Sequence, residues 1–318
     1  MTTPHAAPAR IAVLGGTGFI GRLLGAKLQE QGLDVLSLAR KAPELPAPGR
    51  FVAFDLSTAE PAALTELLES ERIDTVVNAA GGMWGLTDEQ MYEANVVLTE
   101  RLVEALAAMA APARLVHLGT VHEYGLAPIG VSQREQDQAA PVMEYGKLKL
   151  AATEAVVRAV EAGRLDAVVL RLGNVVGAGQ PGHSLLGVMA AKLDAARLAG
   201  ETAQLSLQPL TAQRDFVDLT DTLDAVLLAA EALAAGRTVP PVLNVGTGAA
   251  SSARYLVELL IEESGVPTEV TEVPAPDGTG PETEWQQLDV TAARDSLGWE
   301  PKRSLREAVR ELWLAQAG

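Results

Sequence analysis

The chain reads as a doubly wound parallel α/β (Rossmann) fold with a smaller, interleaved C-terminal lobe. Three observations predict it. A glycine-rich turn at 15–21 directly follows a short apolar run; short apolar runs then alternate with Ala/Leu/Glu-rich stretches of helical length as far as Leu172; and the alternation stops after about Gly177. Taken in order, residues 10–14 read as a strand, 15–21 as a glycine turn and the following RLLGAKLQEQG as a helix. Residues 34–39 form the next strand, KAPELPAPG a Pro-rich loop, 51–54 a third strand and 61–70 a Leu-rich helix. Further buried strands are expected at 75–79, 114–119 and 166–172. Strands alternating with helices imply right-handed crossovers and a parallel sheet covered on both faces.

After Gly177 the segment GAGQPGHS reads as a loop, 185–198 as a helix and 205–210 as a short strand. One more core strand is expected at 243–245, and 253–263 and 304–315 read as amphipathic helices around a Gly/Pro/Glu-rich loop at 274–284. The absence of a long Gly/Ser or Pro run implies that the second lobe is interleaved with the sheet and not tethered by a linker.

Composition narrows the function classes. The 318 residues are 48% hydrophobic and 21% charged with a mean hydropathy of +0.14, as in ordinary globular proteins. No apolar run approaches the roughly 18 residues that span a bilayer. With no cysteine, thiol catalysis, disulfides and thiolate metal sites are excluded, and the start MTTPHAAPAR lacks the order of a secretory signal, so a cytoplasmic enzyme is expected. Acidic residues outnumber basic ones 41 to 25, a formal charge of −16, which argues against nucleic-acid or membrane partners and requires local cations for any anionic ligand. The four histidines (5, 117, 122, 183) have no metal-ligand spacing, so no metal is expected. Gly182 to Gly187 misses the hydrolase elbow pattern by one residue.

The turn contains Gly15, Thr17, Gly18, Phe19, Ile20 and Gly21 and satisfies both G-x-x-G-x-x-G and G-x-G-x-x-G. Between a strand and a helix, such glycines let the backbone approach a pyrophosphate at the helix N-terminus; otherwise they make a tight structural turn. Where an NAD site would carry a carboxylate at the end of the second strand, this chain has Ala39-Arg40-Lys41. Without that acid, Arg40 can hold a 2′-phosphate, which favours NADP(H), or it is a solvated loop cation. Asp55 and Leu56 suit the adenine edge and face. Tyr145 and Lys149 stand at i and i+4 of a helix, so the ammonium stabilises a phenolate and makes Tyr145 a usable acid/base. Thr120 ends a predicted strand, where it can reach the ligand crevice of the sheet.

With the glycine turn GGTGFIG come Asn78-Ala79-Ala80-Gly81, Asn95 in YEANVVLTERLVEAL, Thr120 in GTVHEYG, YGKLK, RLGNVVG, QRDFVDLTD, NVGTG and LGWEPKRSL. In order and spacing, over nearly the whole chain, this set resembles the extended short-chain dehydrogenase/reductase family, its NAD-dependent epimerase/dehydratase branch, which acts on nucleotide sugars. The resemblance implies a dinucleotide-binding domain of residues 1–176 plus about 212–248, and a substrate-binding lobe of 177–211 and 249–318. It implies Tyr145 as acid/base, Lys149 on the nicotinamide ribose, Thr120 on the substrate oxygen and Asn95 on a proton-relay water. Asn95 could equally cap or bridge a helix. Asn174 and Arg214 match positions that meet the sugar-nucleotide phosphates, although Arg214 could form an ordinary salt bridge. His122 either lines the pocket or packs, and Trp84 either stacks on the substrate or anchors its loop.

Dehydratases in the family carry Asp and Glu directly after the threonine, where this chain has Val121 and His122, and epimerases usually keep the acid that Ala39-Arg40 replaces. NADPH-consuming reduction is the better match, and the overall pattern, including VHEYG, RDFVDLTDTLDAV and the ending VPAPDGTGPETEWQQLDVTAARDSLGW, resembles the dTDP-4-keto-6-deoxyhexose 4-ketoreductases, which implies NADPH-dependent reduction of a dTDP-sugar. The absence of Arg or Lys between Val273 and Asp289 departs from many nucleotide-sugar members. The alternatives are a 4-epimerase, a reductase of a nucleotide-free ketone such as a polyketide, and a silent NADP(H)-binding protein, which would usually lose the Tyr/Lys pair. A homodimer is compatible with the sequence.

Overall fold

The computed structural model describes residues 9–43, 47–274 and 284–318. The chain start with His5, part of the Pro-rich loop after Lys41 and residues 275–283, which make up most of the stretch without Arg or Lys, lie outside the described residues. In chain order the elements are β1 Arg10–Leu14, α1 Phe19–Glu30, β2 Asp34–Ala39, β3 Arg50–Ala53, α2 Pro61–Ser70, β4 Thr75–Asn78, α3 Asp88–Tyr92, α4 Leu98–Ala107, β5 Arg114–Thr120, α5 Glu144–Glu161 and β6 Ala167–Leu172. There follow β7 Asn174–Val176, α6 Leu185–Ala199, β8 Ala203–Leu207, β9 Gln213–Asp218, α7 Leu219–Ala234, β10 Val242–Val245 and β11 Ala250–Ser252. The chain ends with α8 Ala253–Ser264, β12 Thr268–Glu272, β13 Trp285–Gln286, α9 Thr291–Leu297 and α10 Leu305–Ala317.

Two compact units share the chain. The first comprises residues 1–119, 143–170 and 225–243; the second comprises 120–142, 171–224 and 244–318. The first is built on a parallel sheet of seven strands in the order β10-β6-β5-β4-β1-β2-β3. The alternating apolar runs are these strands: β1 to β6 and β10 fall within a residue or two of the predicted segments. The sequence leaves β1 in one direction for β2 and β3 and in the other for β4 and β5, so the strand order reverses beside β1, where doubly wound sheets open a ligand crevice at their carboxyl ends. Leu14, Leu38, Val76 and Leu115 from the sheet pack with Leu64 and Leu68 of α2, Leu102 and Leu106 of α4 and Val156 of α5 into one buried cluster.

The second unit has its own core of α6, α8, α10 and β8, with Met189, Leu193, Leu205, Leu259, Leu260 and Trp313 buried together. Its strands depart from the sequence expectation. A four-stranded sheet forms around β9, with β7, β11 and β13 as partners, and β8 pairs in parallel with β12. β9 has no apolar run to reveal it because two of its three buried positions are Asp215 and Asp218. β8 begins at Ala203, not at 205, and ends before Pro209; its alternating buried and exposed residues are those of a half-covered strand. Among the described residues, no helix is long and apolar enough to cross a membrane.

Candidate active site

The first unit contains a cavity of about 640 Å³ at the carboxyl ends of β1, β2, β3 and β4. The backbone N–H groups of Gly15 and Gly16 donate to Leu38 O (2.9 and 3.2 Å), and Gly18 N–H to Gly15 O (2.9 Å), folding the chain back before α1. Gly15 has φ +75°, and a Cβ there would lie 2.7 Å from Ala79 O. A Cβ on Gly21 would overlap Gly15 O. Glycine is therefore required for the chain to pass this close to β4 and for α1 to start against the turn. No side chain caps α1, whose first N–H groups open beside Gly18 in the cavity wall.

Of the residues expected on the dinucleotide, Gly15, Thr17, Gly18, Arg40, Lys41, Asp55, Leu56, Ala79, Ala80 and Gly81 line this cavity. Phe19, Ile20 and Gly21 instead form the first turn of α1, outside the lining. Arg40 and Lys41 are exposed at the end of β2. One oxygen of Asp55 accepts from Ser57 N–H (3.0 Å) and Ser57 Oγ (2.6 Å), which fixes the carboxylate in the wall. Asn78 lies beneath the wall, fully buried: its Oδ1 accepts from Ala80 N–H (3.1 Å) and its Nδ2 donates to His117 Nδ1 (3.0 Å). Burial, and then the Lys149 charge, hold His117 well below the usual histidine range, so it is neutral. Three further wall residues, Glu89, Gln90 and Glu93, were not expected from the sequence. Glu89 and Gln90 belong to α3, which the Thr87/Gln90 capping box starts.

On the same unit, α5 turns Lys149, Ala152, Val156 and Ala159 inward at helical spacing. Lys149 is 4% exposed, and its Nζ donates to Leu118 O on β5 (2.6 Å). One turn earlier, half-buried Tyr145 packs against Met91, Val96 and Leu148. Asn95 lies in a widened π turn, Glu93–Val97, between α3 and α4. Its Nδ2 donates to Gly82 O and Met91 O (both 2.8 Å), while the buried Oδ1 has no partner among the described residues. A π turn with an unsatisfied acceptor is an arrangement met at functional positions. Trp84 is 61% exposed, which removes the reading of it as a buried anchor.

In the second unit, Thr120 ends β5 and starts a single helical turn, Val121–Glu123. Its N–H donates to Glu123 Oε1 (2.9 Å) and its Oγ1 accepts weakly from His122 N–H (3.4 Å). Burial, and then the nearby Arg214 cation, push His122 down to about 4, with Glu284 opposing; the ring is therefore neutral at pH 7. Arg214 forms an ion pair with Glu284, so the salt-bridge alternative is present in the structure. Asn174 Nδ2 donates to Asp215 O (3.2 Å), and the buried Asp215 carboxylate accepts from Thr247 N–H, Thr247 Oγ1, Gly248 N–H and Leu288 N–H, binding QRDFVD to NVGTG. Burial pushes Tyr124 up to about 12 against the opposing Arg171 charge, so this second tyrosine stays protonated.

Chemically, one unit offers a dinucleotide-sized crevice with two cations at its rim and a Tyr/Lys helix. The other offers a hydroxyl, a neutral imidazole and a guanidinium. Among the described residues, no three His, Cys, Asp or Glu side chains are grouped so as to hold a metal ion. The role of Glu123 was missed from the sequence, although its T-x-x-E spacing from Thr120 is a capping-box signal.

The model of the NAD dependent epimerase/dehydratase family matches residues 11–246. The chain is 84% identical over 317 residues to a dTDP-6-deoxy-L-talose 4-dehydrogenase (NAD(P)(+)) of Kitasatospora kifunensis, covering all of this chain and 98% of that one. It is 27% identical to a UDP-glucose 4-epimerase of Azospirillum brasilense, covering 97% of this chain and 92% of the relative. Among solved structures, the UDP-glucose 4-epimerase of Thermus thermophilus in complex with NAD superposes with a TM-score of 0.81 at 25% identity, covering 97% of this chain and 99% of that one.

Proposed function

The chain belongs to the NAD-dependent epimerase/dehydratase family of extended short-chain dehydrogenases/reductases, and from that premise we propose that it is an NADPH-dependent ketoreductase acting at C4 of a dTDP-activated 4-keto-6-deoxy sugar. The observation that carries this reading is the 84% identity, end to end, to a relative whose name places NAD(P)-linked redox chemistry at C4 of a dTDP-6-deoxy sugar. That name is written in the direction of oxidation; reduction is its reverse, at the same carbon. Ala39-Arg40-Lys41 supports NADPH as the reductant, since no carboxylate at the end of β2 repels a 2′-phosphate.

The residues present fit a dinucleotide: the crevice lies where strand order reverses, and Gly15 and Gly21 let the turn close tightly against Ala79 and the start of α1, with Gly15, Thr17 and Gly18 in the cavity wall. Gly15, Thr17 and Gly18 would hold its pyrophosphate, Arg40 and Lys41 the 2′-phosphate, Asp55 and Leu56 the adenine, and Lys149 the nicotinamide ribose. When bound, the cofactor supplies the hydride. The protein's own contributions are the proton that Tyr145 gives to the carbonyl oxygen, the hydrogen bond that Thr120 donates to that oxygen, and the Lys149 charge that stabilises the phenolate left behind. Asn95 would hold, through its Oδ1, a water that returns the proton; its lack of a partner among the described residues supports this role. Segments 177–211 and 249–318, with Asn174 and Arg214, take the sugar nucleotide, and His122 and Trp84 line its path.

The test is NADPH oxidation with dTDP-4-keto-6-deoxyhexoses, with products identified by NMR and binding of dTDP followed by calorimetry. Stoichiometric NADPH consumption with a new C4 hydroxyl is expected. Inversion at C4 of a UDP-hexose without net NADPH consumption would make the protein an epimerase. Activity on a nucleotide-free ketone without dTDP binding would leave the aglycone reductase.

A further inference from the structure

We propose that the buried Glu123–Arg171 pair is a positioning device that fixes Thr120 for the reaction; this rests on the reading of Thr120 as the residue that bonds the ketone oxygen. Glu123 is fully buried. Its two oxygens have different duties: Oε1 accepts from Thr120 N–H at 2.9 Å and Oε2 from Arg171 Nε at 2.7 Å. The carboxylate thus ties the last residue of β5 to the end of β6, 48 residues later in the chain.

The other end of the pair is anchored as firmly. The Arg171 guanidinium lies 4.4 Å from the centroid of the Tyr124 ring, and Tyr124 OH donates to Asn244 Oδ1 at 2.8 Å. Asn244 Nδ2 in turn donates to Gln133 O and Asp289 O, both at 3.1 Å. On the side chain of Thr120, Oγ1 accepts one long contact from His122 N–H at 3.4 Å, which does not engage the hydroxyl proton. The hydroxyl is left able to donate, while its backbone is held through Glu123.

A buried ion pair is rarely the most stable filling for such a space, since apolar side chains of similar volume avoid the desolvation of two charges. What the charges add is direction. An apolar residue at 123 would leave Thr120 N–H without its acceptor, and the one-turn helix carrying His122 would lose the side-chain bond that closes it. Small displacements of a group that meets the reacting atoms cost rate and not cofactor affinity.

The experiment is the double variant Glu123→Leu/Arg171→Met, which removes both charges together and leaves neither buried alone. Its fold is checked by thermal unfolding and by NADPH titration. We expect unchanged NADPH affinity, a KM for the dTDP-4-keto sugar within about threefold, and a kcat lower by about tenfold or more. In a Thr120→Ala background the same double substitution should lower kcat no further. If Thr120→Ala lowers kcat but the double variant keeps kcat within about twofold, the inference fails and the reading of Thr120 stands. If Thr120→Ala alone leaves kcat unchanged, the reading of Thr120 fails and takes the inference with it. Should the double variant not fold, Glu123→Gln replaces it: a loss of about threefold or more with Thr120 present and none with Thr120→Ala is expected, and an equal loss in both backgrounds overturns the inference.

Discussion

Arg40→Ala is expected to weaken NADPH binding about tenfold while leaving NADH binding unchanged. Arg40 follows Ala39 at the end of β2 and lines the rim of the dinucleotide crevice beside Lys41, Asp55 and Ser57. A hydrogen bond between ionised partners contributes about 1.5–3 kcal/mol. Because Arg40 is exposed, water and salt screen the contact, and the lower end of that range applies, about 1.5 kcal/mol. At about 1.4 kcal/mol per factor of ten, this is roughly a twelvefold rise in Kd. Lys41, a point charge on a longer stem, retains part of the attraction and keeps the loss from growing further. Fluorescence titration of the parent and variant with each reduced cofactor measures the effect, and raising the ionic strength should shrink the difference. An NADPH Kd within about twofold of the parent would refute the assignment of Arg40 to the 2′-phosphate. Equal weakening of NADPH and NADH would show instead that Arg40 acts on a part common to both.

Four further outcomes are expected. Tyr145→Phe should lower kcat by about 10²–10⁴ while the NADPH Kd stays within a few-fold, measured by steady-state kinetics beside cofactor titration; near-normal turnover would make another group the acid. Arg214→Ala should raise KM for a dTDP-sugar about tenfold and abolish detectable dTDP binding by calorimetry, while a nucleotide-free ketone should not register the change. Gly21→Ala, whose new Cβ overlaps Gly15 O, should destabilise the protein by about 1–3 kcal/mol or more and weaken both cofactors together, read by urea unfolding and titration. Finally, burial holds His122 at about 4 in the folded protein, whereas the unfolded chain takes up its proton near 6.5. The stabilising contribution is therefore complete above about pH 6.5 and is lost as the pH falls towards 4. Between pH 7.5 and 5 the parent should lose about 2 kcal/mol more stability than His122→Asn in urea titrations, and equal losses would contradict a neutral, half-buried imidazole.

Features that depend on a repeating local pattern are legible in the amino-acid order alone. The runs at 10–14 and 34–39 coincide with β1 and β2 because a strand buried on both faces must be apolar throughout. Gly15 and Gly21 were legible because their spacing reports a close backbone approach that no other residue allows. Tyr145 and Lys149 share a face of α5 because the helical period places them there. The Thr120/Glu123 spacing was equally visible in principle.

Other features exist only once the chain has packed. The wall formed by Glu89, Gln90 and Glu93, the π turn that buries Asn95 and the β9 strand hidden by Asp215 and Asp218 leave no periodic trace. Glu123 meets Arg171, and Asn78 meets His117, across 48 and 39 residues of chain, because β6 lies beside β5 and β5 beside β4. Local side-chain periods set which residues become strands, but strand order sets which buried polar groups must satisfy one another. That order is chosen by the packing of the whole chain, since each buried donor or acceptor is tolerated only where its distant partner arrives.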